Sequence, residues 1–490
     1  MFIDLSATRE IPFIDNYDVC VCGSGPAGMS VALEVANKGG RVLLLEAGGY
    51  EPSAKSQAVC EAKSVGPLVH WGVSTCRLRY LGGASGHWSG RCAILDPLDF
   101  EARDIWGLPG WPISHNETYR RLDDARIILD IADQSLDRRK ISHWRQDRFL
   151  PNGFARSAPT RFGEKFRNEL KEGQNIDVAL NANVTGLSFS GDKENITAVN
   201  VKTYDGRDFA LRAKAYVIAF GALETARFML NVGEDAGFPF GNEGDYVGRC
   251  FMEHFNIVLG RFVTLKSPLW TKTPFLNLNL NDELTKKLGL GTATVSLTAN
   301  DRPRHYGRLA FLREAKSNLE CAILKANPKG EASRDKLCNG DGVVAGIIEQ
   351  TPDPSSRVTL DDAARDQFGA RRLLLDWRMN EQDTRTIAGL AEQLGVALAA
   401  QDIGRLQIAP DIRTGSPEPG FHCHQMGTTR MAASPRHGVV NEDCRIHGVK
   451  NAYIAGSNVF PTGGGANPTT TIVALALRLG EHLAGRYVGK

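Results

Sequence analysis

The sequence lacks an excess of either charge, and it lacks any long apolar run. Among its 490 residues, 58 lysines and arginines stand against 56 aspartates and glutamates, so the formal net charge is only +2. This balance excludes a global field that would attract nucleic acid or an anionic membrane surface. No stretch approaches the roughly 20 apolar residues that a membrane-spanning helix needs. We therefore expect a small-molecule partner, with neither nucleic acid nor a membrane involved.

Regularly spaced cysteines and a secretion signal are also missing. The 10 cysteines are scattered, and no repeated spacing indicates a disulfide framework. Residues 1–18 carry acids where a signal peptide would carry a basic segment followed by an apolar one. These features predict a reducing, cytoplasmic compartment. The length itself predicts two or three domains, at a soft prior of roughly 150 residues for each.

Residues 17–49, YDVCVCGSGPAGMSVALEVANKGGRVLLLEAGG, have the pattern of a strand, a helix and a second strand. Gly23, Gly25 and Gly28 have the GxGxxG spacing, which gives a tight turn, a bare backbone for a pyrophosphate and close packing of helix on strand. Glu46 ends the second strand, where an acid accepts hydrogen bonds from an adenosine ribose. The pattern predicts a dinucleotide-binding unit, and it leaves FAD and NAD as alternatives.

Two further regions also have a strand, a glycine turn and a helix. They are residues 213–230, with the turn at Gly221, and residues 450–487. Residues 256–380 differ, because period-2 segments such as NIVLGRFVTL and ATVSLTAN predict antiparallel strands. We expect the C-terminal stretch to rejoin the sheet begun at the N-terminus, and the antiparallel strands to form a second domain.

The segment FHCHQMGTTRM, residues 421–431, raises a choice between metal binding and proton transfer. In an extended segment alternate side chains share a face, so His422 and His424 would lie on one side and Cys423 on the other. A zinc site would need four ligands that converge tetrahedrally, for example with Cys444 added. Neither the spacing nor a CxxC pair supplies them, so we expect no metal.

Several stretches, in this order, resemble the glucose-methanol-choline family of FAD-dependent alcohol oxidoreductases. They are the N-terminal fingerprint, LGGASGHWSGR at 81–91, VGRCFMEH at 247–254, SSRVTL at 355–360, HQMGTTRM at 424–431 and AGSNVFPTGGGANPTTT at 455–471. The HW of the first loop and the late Asn-Pro are more similar to the pyranose oxidase branch than to the glucose oxidase branch.

The resemblance implies an α/β fold with two parts. One is a Rossmann-like FAD-binding domain built from discontinuous segments, and the other is a substrate domain with an antiparallel β-sheet and helices. The expected FAD-binding segments are 1–105, 181–255 and 421–490, and the expected substrate-domain segments are 106–180 and 256–420.

By resemblance, the histidine that begins the HxxGTxxM pattern is the catalytic base, and here it is His424. Asn467 of ANPTTT completes the catalytic pair. A neutral imidazole suits removal of the hydroxyl proton, and flavin N5 takes the hydride. The amide would hold and orient the same oxygen without titrating. For His422 we expect a structural role beside the base.

The resemblance also implies the residues that contact the cofactor. They are Gly23, Gly25, Gly28, Glu46, Gly82, Gly83, His87, Ser89, Ser457 and Asn458. His87 matches a position that is joined covalently to the flavin in some relatives, and covalent attachment of FAD at His87 is the less favoured alternative here. Gln350 is a candidate for contact with substrate hydroxyls, with a plain sheet residue as the alternative.

The sequence therefore predicts FAD-dependent oxidation of a sugar, glycoside or polyol hydroxyl to a carbonyl, with oxygen or another small acceptor taking the electrons. Two alternatives stay open: the same chemistry on a non-sugar alcohol, and an NAD-dependent dehydrogenase. A flavin-binding subunit without catalysis is disfavoured, because the chain keeps both His424 and Asn467. Oxidase and dehydrogenase are not distinguished, and oligomeric state is left open.

Overall fold

A computed structural model describes residues 1–8, 16–136, 144, 147–158, 160–264, 275–299 and 342–489. The strands in chain order are β1 Phe2–Asp4, β2 Tyr17–Cys22, β3 Val42–Leu45, β4 Ala62–Ser64, β5 Arg91–Cys92, β6 Phe149–Pro151, β7 Ala155–Arg156, β8 Ile176–Leu180, β9 Asn183–Phe189, β10 Ile196–Lys202, β11 Asp208–Leu211, β12 Ala213–Ile218, β13 Phe255–Thr264, β14 Phe275–Leu280, β15 Ala293–Ala299, β16 Gly342–Ile348, β17 Arg357–Arg365, β18 Arg371–Asp376, β19 Gly404–Ile408, β20 Gly420–Phe421 and β21 Ala452–Ile454.

The helices are α1 Pro26–Asn37, α2 Ala54–Gln57, α3 His115–Thr118, α4 Leu122–Ile128, α5 Phe162–Lys165, α6 Arg167–Glu172, α7 Ala222–Ala236, α8 Asp282–Leu288, α9 Glu381–Ala400, α10 Pro410–Arg413 and α11 Thr469–Tyr487. Short 3-10 turns lie at Ala58–Cys60, Gly83–Gly86, Pro97–Phe100, Asp104–Trp106 and Ser457–Val459. Within the described ranges, no helix is both long and apolar enough to cross a membrane.

A parallel six-stranded sheet has the order β1-β8-β3-β2-β12-β21. Strands β2 and β3 are buried along their whole length, as their unbroken apolar sequences require of a sheet covered on both faces. The α/β fold class is confirmed, and so is the expectation that the C-terminal strand rejoins the N-terminal sheet. Segments far apart in the chain therefore build one sheet, while the exact domain boundaries stay a prediction.

An antiparallel sheet has the order β19-β13-β16-β15-β14-β6, with β20 also paired to β13. The predicted period-2 segments form β13 and β15. Residues 265–274 and 300–341 of the predicted substrate domain lie outside the described residues. Pairing of β20 with β13 places Phe421 opposite Phe255, so the FHCHQMGTTRM segment lies beside the VGRCFMEH segment. A further antiparallel bridge, between Met252 and Met426, brings the two segments together on the far side of His254 and His424.

Two glycines show why these turns need a bare backbone. A Cβ on Gly28 would lie 1.9 Å from the carbonyl oxygen of Gly23, because α1 packs directly on the turn that follows β2. Gly427 has φ +73°, and a Cβ there would lie 1.9 Å from the carbonyl oxygen of Cys250. Substitution at either position forces the two segments apart.

A disulfide joins Cys76 to Cys423, although the cysteine spacing indicated no disulfide framework and the compartment was predicted to be reducing. The two residues are 347 positions apart, so no local spacing could indicate the bond. Cys423 itself has a left-handed backbone, with φ +58°. Six further cysteines in the described ranges are unpaired and buried.

Candidate active site

A cavity of about 520 Å³ lies at the carboxyl ends of the parallel strands. Gly23 follows β2, Glu46 follows β3, Ala219 follows β12 and Ala455 follows β21, and all four line the cavity. This edge is where open α/β sheets bind ligands. The segment around His424 forms another part of its wall. The cavity therefore joins the predicted dinucleotide end to the predicted catalytic end.

Glu46 is held in place at the dinucleotide end. One carboxylate oxygen accepts hydrogen bonds from the Ser24 hydroxyl at 2.5 Å and the Ser24 backbone N–H at 3.2 Å. The other oxygen accepts from the Gly48 backbone N–H at 2.9 Å. The side chain is nearly buried but still borders the cavity. This arrangement leaves a fixed acceptor at the position expected for ribose recognition.

The 81–91 loop covers the next part of the cavity. Gly83, His87 and Ser89 line it, and a Cβ on Gly83 would lie 3.1 Å from the Cα of Gly25. Gly82 does not line the cavity; its N–H donates to the Ser24 hydroxyl at 3.1 Å, and its φ is +91°. The loop therefore packs directly on the glycine turn that follows β2.

His424 and Asn467 meet in the cavity wall. The Nδ2 of Asn467 donates to the Nε2 of His424 at 3.1 Å, although the two residues are 43 positions apart. The Oδ1 of Asn467 has no hydrogen-bond partner among the described residues. Burial lowers the pKa of His424 well below its usual value, and His254, His422 and Arg91 lower it further. The imidazole is therefore neutral at pH 7, as a base must be before it accepts a proton.

His422 lies beside His424, and the two rings are stacked at a centroid separation of 5.5 Å and an interplanar angle of 18°. Burial lowers the pKa of His422 to about 4. The two rings share one side of the segment, while Cys423 faces Cys76. Within the described ranges, no group of three or more His, Cys, Asp or Glu side chains could hold a metal ion.

A second histidine, His254, contacts His424 at Nδ1, the ring nitrogen that does not contact Asn467. The two Nδ1 atoms are 2.8 Å apart, and His254 is fully buried. Glu253 accepts the backbone N–H of His424 at 2.7 Å and that of His254 at 3.0 Å. His254 is 170 positions from His424, so no local pattern links them. The only signal in the sequence is the VGRCFMEH stretch that contains it.

Ser457 and Asn458, predicted to contact the cofactor, differ in their exposure to the cavity. Ser457 lines the cavity, and its hydroxyl donates to the Gln425 carbonyl at 2.6 Å. Asn458 is fully buried, and neither polar atom of its amide has a partner in the described part of the chain.

Gln350 is a correction, because the structure places it away from the cavity. It is fully buried, and its Oε1 accepts from the Glu253 N–H and from the Trp377 indole N–H, both at 2.9 Å. Its Nε2 donates to the Arg378 carbonyl at 2.8 Å. Gln350 therefore supports the Glu253 backbone from a buried position that does not line the cavity.

Comparison with known proteins agrees with this geometry. Residues 352–476 match the family described as GMC oxidoreductase, and residues 17–241 match that described as Pyridine nucleotide-disulphide oxidoreductase. The 2-methyl-1,2-propanediol dehydrogenase of Mycolicibacterium austroafricanum is 24% identical, with 96% of each chain covered. The C-glycoside 3-oxidase of Arthrobacter globiformis is 28% identical over 36% of this chain and 33% of that protein. A fungal aryl-alcohol oxidase structure has a TM-score of 0.61 at 14% identity, covering 97% of this chain and 100% of that one.

The strand edge, the glycine turn and the two family matches define an FAD-dependent oxidoreductase that acts on alcohols. The match over residues 352–476 relates this part of the chain to the glucose-methanol-choline (GMC) oxidoreductase family. The residues present fit FAD, since the turn before α1 offers bare backbone for a pyrophosphate and Glu46 offers a fixed carboxylate for a ribose.

Proposed function

We propose that this protein oxidises a hydroxyl group of a sugar, glycoside or polyol to a carbonyl, with His424 as the base. The observation that supports this most directly is the His424–Asn467 pair in the wall of the cavity that the dinucleotide-binding loops also line. A neutral imidazole next to an amide with an unused oxygen is suited to take a hydroxyl proton while the hydroxyl is held in place.

His424 would take the hydroxyl proton at Nε2, the atom that contacts Asn467. Asn467 would bind and orient the alcohol oxygen through its amide, which keeps its charge state throughout. Bound FAD supplies the acceptor for the hydride that leaves the same carbon. The loops that enclose the cavity would exclude bulk water from the reacting carbon.

The preference for carbohydrate and polyol substrates is supported by the relative named for a C-glycoside. The His-Trp pair at 87–88 and the Asn-Pro pair at 467–468 support placement in the pyranose oxidase branch. The diol dehydrogenase relative also favours a second candidate, a small non-sugar alcohol as substrate.

The experiment that tests the proposal is anaerobic mixing of the purified protein with separate pools of pyranoses, glycosides, inositols, short diols and aryl alcohols. Bleaching of the oxidised flavin bands by a sugar or polyol pool would support it. Bleaching by aryl alcohols or short diols alone would favour the second candidate. An FAD-loaded protein that none of the pools bleaches would overturn the proposed function.

We also propose that Gly23, Gly25, Gly83, His87, Ser89 and Ser457 contact the cofactor, with Gly28, Gly82 and Asn458 shaping the turns behind them. We propose that FAD is bound without a covalent bond to His87. After precipitation with acid, we expect all the flavin to stay in the supernatant. Yellow colour that remains in the washed pellet, and is absent from the pellet of His87→Ala, would show a covalent bond instead.

The lowered pKa of His424 predicts an unusual pH dependence. The active form is neutral, so a pKa well below 6.5 keeps the base active as the pH falls. We expect kcat/KM for anaerobic flavin reduction to stay level from about pH 7.5 to 5.5, whereas a base with an ordinary pKa of about 6.5 would lose about tenfold. Flavin content measured at each pH is the control. A decline centred near pH 6.5 would contradict the prediction.

Cytoplasmic location also stays a proposal, supported by the six unpaired, buried cysteines of the described ranges. The Cys76–Cys423 disulfide is the opposing observation, since disulfides persist mainly in oxidising compartments. The electron acceptor is proposed to be oxygen or another small molecule.

A further inference from the structure

Both ring nitrogens of His254 have a polar neighbour. One nitrogen faces carbonyl oxygens and the other faces a histidine nitrogen. The Nε2 of His254 lies 2.8 Å from the Gly464 carbonyl oxygen and 3.2 Å from the Gly463 carbonyl oxygen. Its Nδ1 lies 2.8 Å from the Nδ1 of His424. Carbonyl oxygens only accept hydrogen bonds, so the Nε2 of His254 must carry a hydrogen.

This hydrogen determines the state of the other three ring nitrogens. Burial lowers the pKa of His254 to about 4, so at pH 7 the ring is neutral and carries one N–H. That N–H is at Nε2, which leaves Nδ1 as an acceptor. The only hydrogen that can lie between the two Nδ1 atoms then belongs to His424. With its hydrogen on Nδ1, neutral His424 has a lone pair on Nε2.

The contact between Asn467 and His424 also requires a lone pair on the Nε2 of His424. Asn467 presents its Nδ2 to the Nε2 of His424 at 3.1 Å, and an amide N–H can bond only to a nitrogen that has a lone pair. The Gly463 and Gly464 carbonyls and the Asn467 amide belong to the same glycine-rich C-terminal segment. That segment therefore contacts both ends of the two-histidine unit.

We infer that His254 is a positioning residue that holds His424 in the tautomer with its hydrogen on Nδ1, so that Nε2 is the nitrogen that accepts the substrate proton. The inference rests on the proposed role of His424. When Nε2 takes the hydroxyl proton, the Nδ1–H bond to His254 stays in place, and no second proton has to move. His254 thus has the orienting role that an acceptor at Nδ1 gives to a histidine base.

Glu253 links the backbone of His254 to that of His424. One of its oxygens accepts the backbone N–H of both histidines, and the other lies 3.2 Å from the Nε2 of His70. Charged and titratable groups that act on the unit are Glu253, Glu349, His422 and Arg91. No carboxylate is within hydrogen-bond distance of the Nδ1 of either ring in the described part of the chain, so His254 is the acceptor that sets the tautomer.

The direct test is the tautomer itself, read from two-bond ¹H–¹⁵N correlations of the FAD-loaded protein with ¹⁵N-labelled histidine at pH 7. The signals of His424 are identified by their loss in His424→Gln. We expect a protonated-type nitrogen at Nδ1 and an unprotonated type at Nε2. The reverse pattern in the unmodified protein would overturn the inference, and this reading needs no substrate and no variant of His254.

Two variants give the functional readout. His254→Leu removes the acceptor, and kcat should fall by about 10- to 100-fold with KM unchanged, because His254 orients the base and does not contact the substrate. His254→Asn keeps an oxygen where Nδ1 was, and should recover most of that loss. The matched control is His447→Leu, because His447 also bonds a carbonyl, that of Ala432 at 3.0 Å, but lies outside the site.

A His254→Leu protein with full kcat, or with low kcat that His254→Asn does not improve and an unchanged His424 tautomer, would contradict the inference. If no alcohol reduces the flavin, the proposed function fails, while the tautomer measurement still decides the role of His254. The two failures are therefore distinguishable.

Discussion

Replacing His424 by glutamine is expected to lower the rate constant of flavin reduction by substrate by about 10²- to 10⁴-fold, the contribution typical of a general base. Glutamine can still hydrogen-bond to Asn467 but cannot accept a proton at neutral pH. Substrate binding should be preserved, so the loss should appear in the limiting rate and leave the substrate concentration for half-saturation unchanged.

Stopped-flow absorbance under anaerobic conditions measures this rate directly. Dithionite reduction of the same sample controls for an intact, accessible flavin, and His482→Gln controls for replacement of a partly exposed histidine at a distant site. A variant that keeps more than about a tenth of the normal rate would exclude His424 as the base.

The His424→Gln variant also tests whether His254 acts on the reaction only through His424. If His254 acts only through His424, then the His424→Gln/His254→Leu double variant should be no slower than His424→Gln alone. Multiplied losses would mean that His254 acts on the reaction by a separate route. This comparison uses the limiting rate of flavin reduction and the same substrate for all three proteins.

The glycine spacing was enough to predict the nucleotide-binding strand, helix and strand, because such a turn leaves few alternatives for the backbone. Gly28 shows the reason, since any larger residue would collide with the Gly23 carbonyl. The antiparallel character of β13 and β15 also follows from local alternation of side chains. Local patterns of this kind report which face of an element is buried, and they extend only over neighbouring residues.

The features that were not predicted all depend on pairing between distant segments. His254 reaches His424 through the antiparallel bridge between Met252 and Met426, whose register places the two histidines opposite each other. Cys423 likewise bonds to a residue 347 positions away, Cys76. Gln350 was wrongly placed at the substrate because its position beside the SSRVTL stretch says nothing about the direction of its side chain. A shift of one residue would have reversed that direction.

Replacing Arg227 by methionine is expected to destabilise the folded protein by about 3–5 kcal/mol, the cost of leaving a buried partner charge unpaired. Arg227 is 5% exposed and donates to Glu224 at 2.6 Å, to Asp366, and to the Arg371 carbonyl at 2.8 Å. Glu224 keeps a second partner in Arg77. Among the described residues Asp366 would keep only backbone N–H donors, so most of the cost should come from its carboxylate.

The measurement is the midpoint of urea unfolding at one fixed FAD concentration. Arg120→Ala is the matched control, since it removes an arginine from an exposed pair with Glu481 and should cost at most about 1 kcal/mol. Changing Asp366 to asparagine in the Arg227→Met background should restore part of the loss, because a neutral amide keeps the backbone hydrogen bonds without a buried charge. Equal midpoints for Arg227→Met and Arg120→Ala would show that burial adds nothing to this pair. A loss that Asp366→Asn leaves unchanged would instead assign the cost to packing of the arginine stem between α7 and the turn that connects β17 to β18.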